Sequence, residues 1–226
     1  MCQRYSLTAR LPELIEQFRI DTVDASVSYR PKYNLSPTQD GTILYEYRKE
    51  RILDSFRWGF MPYWSKDGVN ADGSAIGERL IYRRIVNKQR CVIPCCGFYG
   101  WREEKKVRQP MRIVYRDKRT FAIPGFYEIW PRVDGGAIKA FTMLTTPASG
   151  FVADYSKRMP AILDEDGIDA WLSEDNKESR QVYPAIRDLP VDQLEAFPVG
   201  GYINDLTLET PDCAEPIRPV FAAMRR

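Results

Sequence analysis

The run ILYEYRKERILDSFRW, residues 43–58, decides the fold. Ile43 to Tyr47 and Ile52 to Trp58 are two apolar and aromatic stretches on either side of the charged turn Arg48-Lys49-Glu50-Arg51, the pattern of a β-hairpin. Directly after it, Trp58-Gly-Phe-Met-Pro-Tyr-Trp64 breaks the regularity. Further on, short β-like runs recur at Cys91 to Pro94, Phe98 to Arg102, Arg112 to Tyr115, Thr120 to Ile123 and Ala140 to Thr145, with a last one at Ala196 to Val199. Upstream, apolar residues at 11, 14, 15 and 18 predict a helix over Leu11 to Phe18, with Pro12 tolerable in its first turn. Tyr29 to Thr38 reads as an irregular loop. Ile76 to Val86 predicts a helix with Ile76, Leu80, Ile81 and Ile85 on one face. Asp169 to Leu172 belongs to a short helix, and Asp164-Glu165-Asp166 reads as its solvated start.

Strands and helices do not alternate regularly, which argues against a doubly wound parallel sheet. The expectation is an α+β fold with antiparallel, partly barrel-like sheets flanked by helices. No repeat, low-complexity tract or clear linker divides the 226 residues, so one domain over residues 1–226 is expected.

Composition narrows the chemistry. Net charge is only +2, so a nucleic-acid site must come from local clustering of the 33 Lys and Arg. No apolar run reaches the length of about 18 residues that a membrane span needs, and the N-terminus lacks the apolar core of a secretory signal. Five cysteines, an odd number, suggest reduced thiols in the cytoplasm. The chain has no histidine. That excludes a Ser-His-Asp triad, a Cys-His dyad and every His-containing zinc site. Catalysis would have to use Cys, carboxylates, Lys, Tyr, Asn or the N-terminal amine. Cys91-x-x-x-Cys95-Cys96 has the wrong spacing for paired zinc ligands and reads as small core residues after a strand; no metal and no cofactor are expected.

Two features carry chemistry. Met1-Cys2-Gln3-Arg4-Tyr5 places a cysteine directly after an initiator methionine that is expected to be trimmed. Cys2 would then present a free α-amine, ordinarily titrating at about 7.7–8.0, and a thiol at about 8.5. Such an aminothiol condenses with an aldehyde to a Schiff base, and the thiol then closes a five-membered thiazolidine. The opposing reading is an ordinary buried cysteine near a chain end. The second feature is the recurrence of aromatic residues beside basic ones: Arg4-Tyr5, Arg57-Trp58, Tyr63-Trp64 before Lys66, Tyr99 with Trp101-Arg102, and Tyr155 with Lys157-Arg158. A single-strand groove needs this mixture, cations for phosphates and flat rings for unstacked bases. Core rings with solvated cations would give the same composition.

Taken in order, these pieces resemble the SOS-response-associated peptidase family, also called abasic-site processing proteins. The resemblance is carried by Met1-Cys2-x-Arg4-Tyr5, by Tyr33-Asn34-Leu35-Ser36-Pro37-Thr38, by Trp58 to Trp64, by Arg90-Cys-Val-Ile-Pro94 with Gly97-Phe-Tyr-Gly-Trp101, by Gly125-Phe-Tyr-Glu128, and by Arg158-Met-Pro160. It implies a single-stranded DNA groove in which the N-terminal cysteine forms a thiazolidine crosslink with the ring-opened aldehyde of an abasic site. It also implies autoproteolytic removal of Met1. On this reading Cys2 is the nucleophile, and Asn70 and Thr145 position the deoxyribose or the abasic oxygen. Arg4 and Arg158 contact phosphates, and Trp64 and Trp101 line the groove.

The chain departs from the family pattern at three site positions. Gly100 stands for the family's glutamate, Ser156 for its histidine, and Asp72 for an arginine that meets phosphate. A missing proton relay is typically worth about 10²–10⁴-fold, so an attenuated crosslinking protein is expected, with Asp72 weakening DNA affinity. A non-catalytic single-strand-binding relative is the alternative. A cysteine peptidase acting on other proteins ranks last, because no residue here can play the paired histidine base.

Overall fold

The structure is a computed structural model that describes residues 2–60, 68–76, 85–186 and 191–218. The hairpin of residues 43–58 is present and longer than its apolar stretches. β4 (Asp40–Tyr47) and β5 (Glu50–Trp58) pair antiparallel from Asp40↔Arg57 to Tyr47↔Glu50. The connection is two residues, not four. Arg48 and Lys49 both take positive φ, 53° and 67°, the backbone that lets a tight turn follow the twist of its strands.

That hairpin is one wall of a closed barrel. β7 (Arg90–Cys95) pairs with β4 and with β10 (Phe121–Pro131), β10 pairs with β11 (Ala137–Pro147), and β11 returns to β5. The closing pair is parallel, Ala140↔Arg57 and Phe141↔Trp58. Closure removes the exposed edges an open sheet would leave. β6 (Asn70–Asp72) and β12 (Arg158–Pro160) extend the sheet on β11, and β2 (Thr22–Val23) extends it on β5. A second, five-stranded antiparallel sheet has the order β13 (Leu194–Pro198), β9 (Val107–Tyr115), β8 (Gly97–Glu104), β1 (Tyr5–Leu7), β3 (Lys32–Leu35). The α+β expectation with barrel-like sheets describes this architecture.

One core fills the barrel and its junction with the second sheet, around Tyr5, Phe56, Trp58, Ile93, Phe98, Ile113, Phe121, Phe141 and Met143. Another lies between the barrel wall and the helices α1 (Leu11–Phe18) and α2 (Glu165–Leu172), around Leu14, Phe18, Leu53, Phe126, Leu144 and Trp171. α1 has the bounds its periodicity predicts, and the Glu13 carboxylate closes its start by accepting from Arg10 N at 2.8 Å. α2 begins where the acidic triplet predicts: Asp164 is its N-cap and accepts from Gly167 N at 2.7 Å. α3 (Ser179–Val182) is a single turn.

The predicted loop at Tyr29 to Thr38 is corrected. Its centre is β3, paired antiparallel with β1 at Tyr5↔Leu35 and Leu7↔Lys32. Local composition missed it because its stabilising partners are remote: Glu209 accepts from the backbone N–H groups of Tyr33 and Asn34, and the Asn34 amide donates to Asp205 O and Leu208 O. The predicted helix over Ile76 to Val86 lies largely outside the described residues. Cys91 and Cys95 are fully buried core thiols.

Candidate functional site

Trp58, at the end of β5, organises the approach to the site. Its indole is fully buried, stacks on Phe141 with 8° between planes, and receives the edge of Tyr5 at 5.2 Å. Gly59 follows at φ +117°, a conformation that strains any side chain, and its N–H bonds to Phe141 O at 2.8 Å. The Trp58 Nε1 then donates to Val69 O at 2.9 Å. The residue after Val69 is thereby set in register on β11, with Asn70 opposite Met143, Ala71 opposite Leu144 and Asp72 opposite Thr145.

Asn70, so placed, reaches the chain start. Its Nδ2 donates to the Cys2 carbonyl at 2.8 Å, a buried bond across 68 residues of sequence. Its Oδ1 is buried with no hydrogen-bond partner among the described residues, as is Arg4 Nε. Cys2 is only 2% exposed, and its thiol donates to Arg4 O at 3.6 Å. Burial pushes the Cys2 thiol up to about 12, because the thiolate would lose its hydration. The same loss of solvent lowers the Arg4 guanidinium from its usual value.

One register step along, Thr145 and Arg158 interlock. Thr145 is 1% exposed and donates to Ala71 O at 3.2 Å. Arg158 donates Nε to Thr145 Oγ1 at 3.0 Å, and Nη2 to both Thr145 O at 2.7 Å and Asp72 Oδ1 at 3.0 Å. Asp72 Oδ1 also accepts from the Ser74 amide and hydroxyl at 3.0 and 2.8 Å. Partial burial pushes the Asp72 carboxyl upward, but the Ser74 bonds and the Arg158 charge outweigh it, so its pKa is lowered. Ser156 Oγ donates to Arg158 O at 2.6 Å and holds the turn before β12.

On β8, the Arg4 carbonyl accepts the Tyr99 N–H at 3.2 Å, and two residues later Tyr155 O accepts the Trp101 N–H at 2.9 Å. Tyr155 thus takes over the ladder where β1 leaves it. A Cβ on Gly100 would lie 2.7 Å from Tyr155 Cβ and 3.0 Å from Tyr155 O. The ring of Trp101 is half-buried against the satellite core of Tyr99, Val199, Ile203 and Cys213. Its Nε1 donates to Asn204 Oδ1 at 3.1 Å, and the Arg108 guanidinium sits 4.8 Å from its centroid.

The structure therefore brings Cys2, Arg4 and Asn70 together in one set of contacts and Asp72, Thr145, Arg158 and Ser156 in another, the two joined along β6, and it packs Gly100 against Tyr155. Trp101 is directed to Asn204 and Arg108. Trp64 lies outside the described residues. Sequence reading missed the Arg158–Asp72 ion pair and the part played by Tyr155. The pair joins positions 86 residues apart through the β6–β11–β12 ladder, and no local pattern announces it.

With the geometry in hand, comparison with known proteins gives a consistent answer. The family described as "SOS response associated peptidase (SRAP)" matches residues 1–206. The abasic site processing protein YoqW of Bacillus subtilis (strain 168) is 30% identical over 222 residues, covering 95% of this chain and 99% of its own. The abasic site processing protein YoaM of the same organism is 32% identical over 211 residues, 90% of this chain and 93% of its own. The abasic site processing protein HMCES of Gallus gallus is 28% identical over 227 residues, 84% of this chain and 67% of its own. A crystal structure of a protein from Bacteroides thetaiotaomicron superposes with a TM-score of 0.80 at 20% identity, covering 96% of this chain and all of the other, and so shares the fold. By the extent of the family match and the near-complete alignment with its bacterial relatives, the chain belongs to the SOS response associated peptidase (SRAP) family.

Proposed function

We propose that this protein processes abasic sites: it holds single-stranded DNA as one domain and joins Cys2 covalently to the aldehyde of the lesion. The observation that carries the reading is the Asn70–Cys2 hydrogen bond, which in a chain of this family ties the start of the backbone to the polar ladder of Asn70, Thr145 and Arg158. Removal of Met1 frees the α-amine of Cys2. The amine adds to the aldehyde carbon and water leaves, giving a protonated Schiff base. The thiol sulfur then adds to that carbon, its proton is released, and the thiazolidine ring closes. A thiol held up to about 12 by burial is a poor opening nucleophile, so the amine leads and the sulfur follows. Asn70, beside the Cys2 carbonyl, is the group placed to hold the sugar, and its open Oδ1 is an acceptor for a sugar hydroxyl or for the freed amine.

The reaction is attenuated. Gly100 has no carboxyl to pass the proton that carbinolamine dehydration requires, and Ser156 is committed to the Arg158 carbonyl. Proximity compensates in part, since effective molarities of about 10⁵ M or more are known for well-held groups.

The test uses purified protein, an abasic single-stranded oligonucleotide and a denaturing gel. A band that survives denaturation in the wild type and is absent in Cys2→Ala, with intact mass showing loss of Met1, is the expected result. Retention of Met1, or a denaturation-stable band undiminished in Cys2→Ala, overturns the proposal. Binding without any denaturation-stable band would instead identify a non-covalent single-strand binder.

A further inference from the structure

Arg158 is the cation of the polar ladder, and three protein acceptors already hold it. Nε is spent on Thr145 Oγ1, and Nη2 is shared between Thr145 O and the Asp72 carboxylate. The pair is not sealed in the core: the side chains are 25% and 38% exposed. Solvent, and any strand in solvent, can therefore reach both partners. A carboxylate and a phosphate oxygen make the same charge-assisted bond to a guanidinium. From this geometry we infer that Asp72 is an internal competitor for the DNA backbone: it occupies Arg158 with a protein-borne anion that a phosphate must displace. The inference rests on the single-strand reading above and deepens it.

The consequence differs from that of a simple repulsive charge. A lone Asp72 beside a free Arg158 would leave one attractive contact and add one repulsive one. A paired Asp72 cancels both, so binding proceeds with neither the salt dependence nor the affinity that Arg158 would otherwise supply. Asp72 is fixed in this role by its Asx turn, in which Oδ1 accepts from the amide and hydroxyl of Ser74. Asparagine offers the same acceptor without the charge. Asp72→Asn therefore keeps the turn and leaves Arg158 with a neutral acceptor that a phosphate displaces more readily than a carboxylate.

The experiment is a four-member cycle read by fluorescence anisotropy on a labelled, undamaged single-stranded oligothymidylate across a salt series. The members are wild type, Asp72→Asn, Arg158→Gln and the double variant. Undamaged DNA carries no aldehyde, so the covalent step does not enter. Asp72→Asn is expected to bind about two- to fivefold more tightly at about 0.1 M salt, the fold-change equivalent of an exposed ion pair. The slope of log affinity against log salt should steepen by about 0.7, one phosphate contact on a single strand. Arg158→Gln should weaken the wild type less than it weakens Asp72→Asn, because in the wild type it removes a contact already held by Asp72 and leaves the repulsion of an uncovered carboxylate, and it should erase the gain in the double variant. The competitor role is overturned if Asp72→Asn binds no more tightly than wild type. It is also overturned if Arg158→Gln weakens the wild type as much as it weakens Asp72→Asn. Failure of all four proteins to bind the strand overturns the single-strand reading itself, and this inference with it; binding that is insensitive to Asp72 removes only this inference.

Discussion

Two ladders carry the candidate residues, and they differ in what fills the space along them. On the β6–β11–β12 side the space holds polar side chains with partners: Asn70 on Cys2 O, Thr145 on Ala71 O, Arg158 on Thr145 and Asp72. On the β8 side it holds main chain. The Tyr155 carbonyl bonds to Trp101 N, and the backbone of Tyr155 lies where a side chain on residue 100 would begin. A change at residue 100 is thus a change of shape as well as of chemistry. The first side can lose a group and leave a hole, while the second cannot gain one without moving its neighbour.

The sharpest way to break this contrast is to put a carboxyl at residue 100. In Gly100→Glu the new Cβ meets the Cβ, carbonyl carbon and carbonyl oxygen of Tyr155, all within 3.2 Å, so the turn before β12 must shift. Overpacking of this kind costs about 1–3 kcal/mol, and the upper end is expected because backbone is the obstacle. With about 2–4 °C per kcal/mol at this chain length, the midpoint of thermal unfolding should fall by roughly 6–12 °C, with no gain in the rate of adduct formation. A variant with the wild-type midpoint and a faster adduct would show that the second side had merely lost a functional group.

The first side is tested by Asn70→Ala. Its expected mark is on rate: a reacting group displaced by about 1 Å can cost about 10²-fold, and releasing the Cys2 carbonyl permits such a displacement. The loss in stability should be smaller, about 1–3 kcal/mol for a buried acceptor left without its donor. Adduct time courses alongside thermal melts separate the two. An unchanged rate would remove Asn70 from the positioning ladder.

Cys2 belongs to both regions, and pH asks which one governs it. Its thiol is raised from an ordinary value of about 8.5 to about 12 by burial. The thiolate fraction should therefore keep climbing about tenfold per unit through pH 9, after the α-amine has lost its proton near pH 8. With the amine leading, adduct rates measured from pH 6 to 9.5 should rise until the amine is deprotonated near pH 8 and then level off or fall as dehydration runs short of protons; a continued tenfold climb per unit to pH 9.5 would mean that thiolate attack governs the rate. The same shift fixes the sign for stability. The folded thiol stays neutral where the unfolded one ionises, so its contribution is complete below about pH 8.5 and is lost progressively as pH rises toward 12.

How much of this was legible beforehand depends on the range of the interactions. The Ile43–Trp58 hairpin, α1 and the α2 start were legible, because alternation, periodicity and an Asp N-cap act within a few residues. β3 was not, since Glu209, Asp205 and Leu208 hold it from more than 170 residues away. The candidate residues were drawn from the order of the motifs, not from any one of them. That Arg158 would face Asp72, and that Tyr155 would cover Gly100, depends on strand register across three segments. A single sequence supplies residue types at those positions but not their juxtaposition.

The smallest expected effect concerns Ser156, which sits between the two ladders. Its hydroxyl donates to Arg158 O at 2.6 Å and accepts weakly from Arg158 N at 3.4 Å, so it closes a local turn rather than facing a substrate. If the turn is its whole task, Ser156→Ala removes one partly exposed hydrogen bond, about 0.5–1.5 kcal/mol, and leaves the adduct rate within about twofold of the wild type. If the hydroxyl instead supplies a proton to the leaving carbinolamine, the rate falls by about 10²-fold or more while the melt barely moves. A thermal melt and an adduct time course on one variant distinguish these outcomes. A large rate loss would transfer Ser156 from the packed side of the comparison to the chemical one.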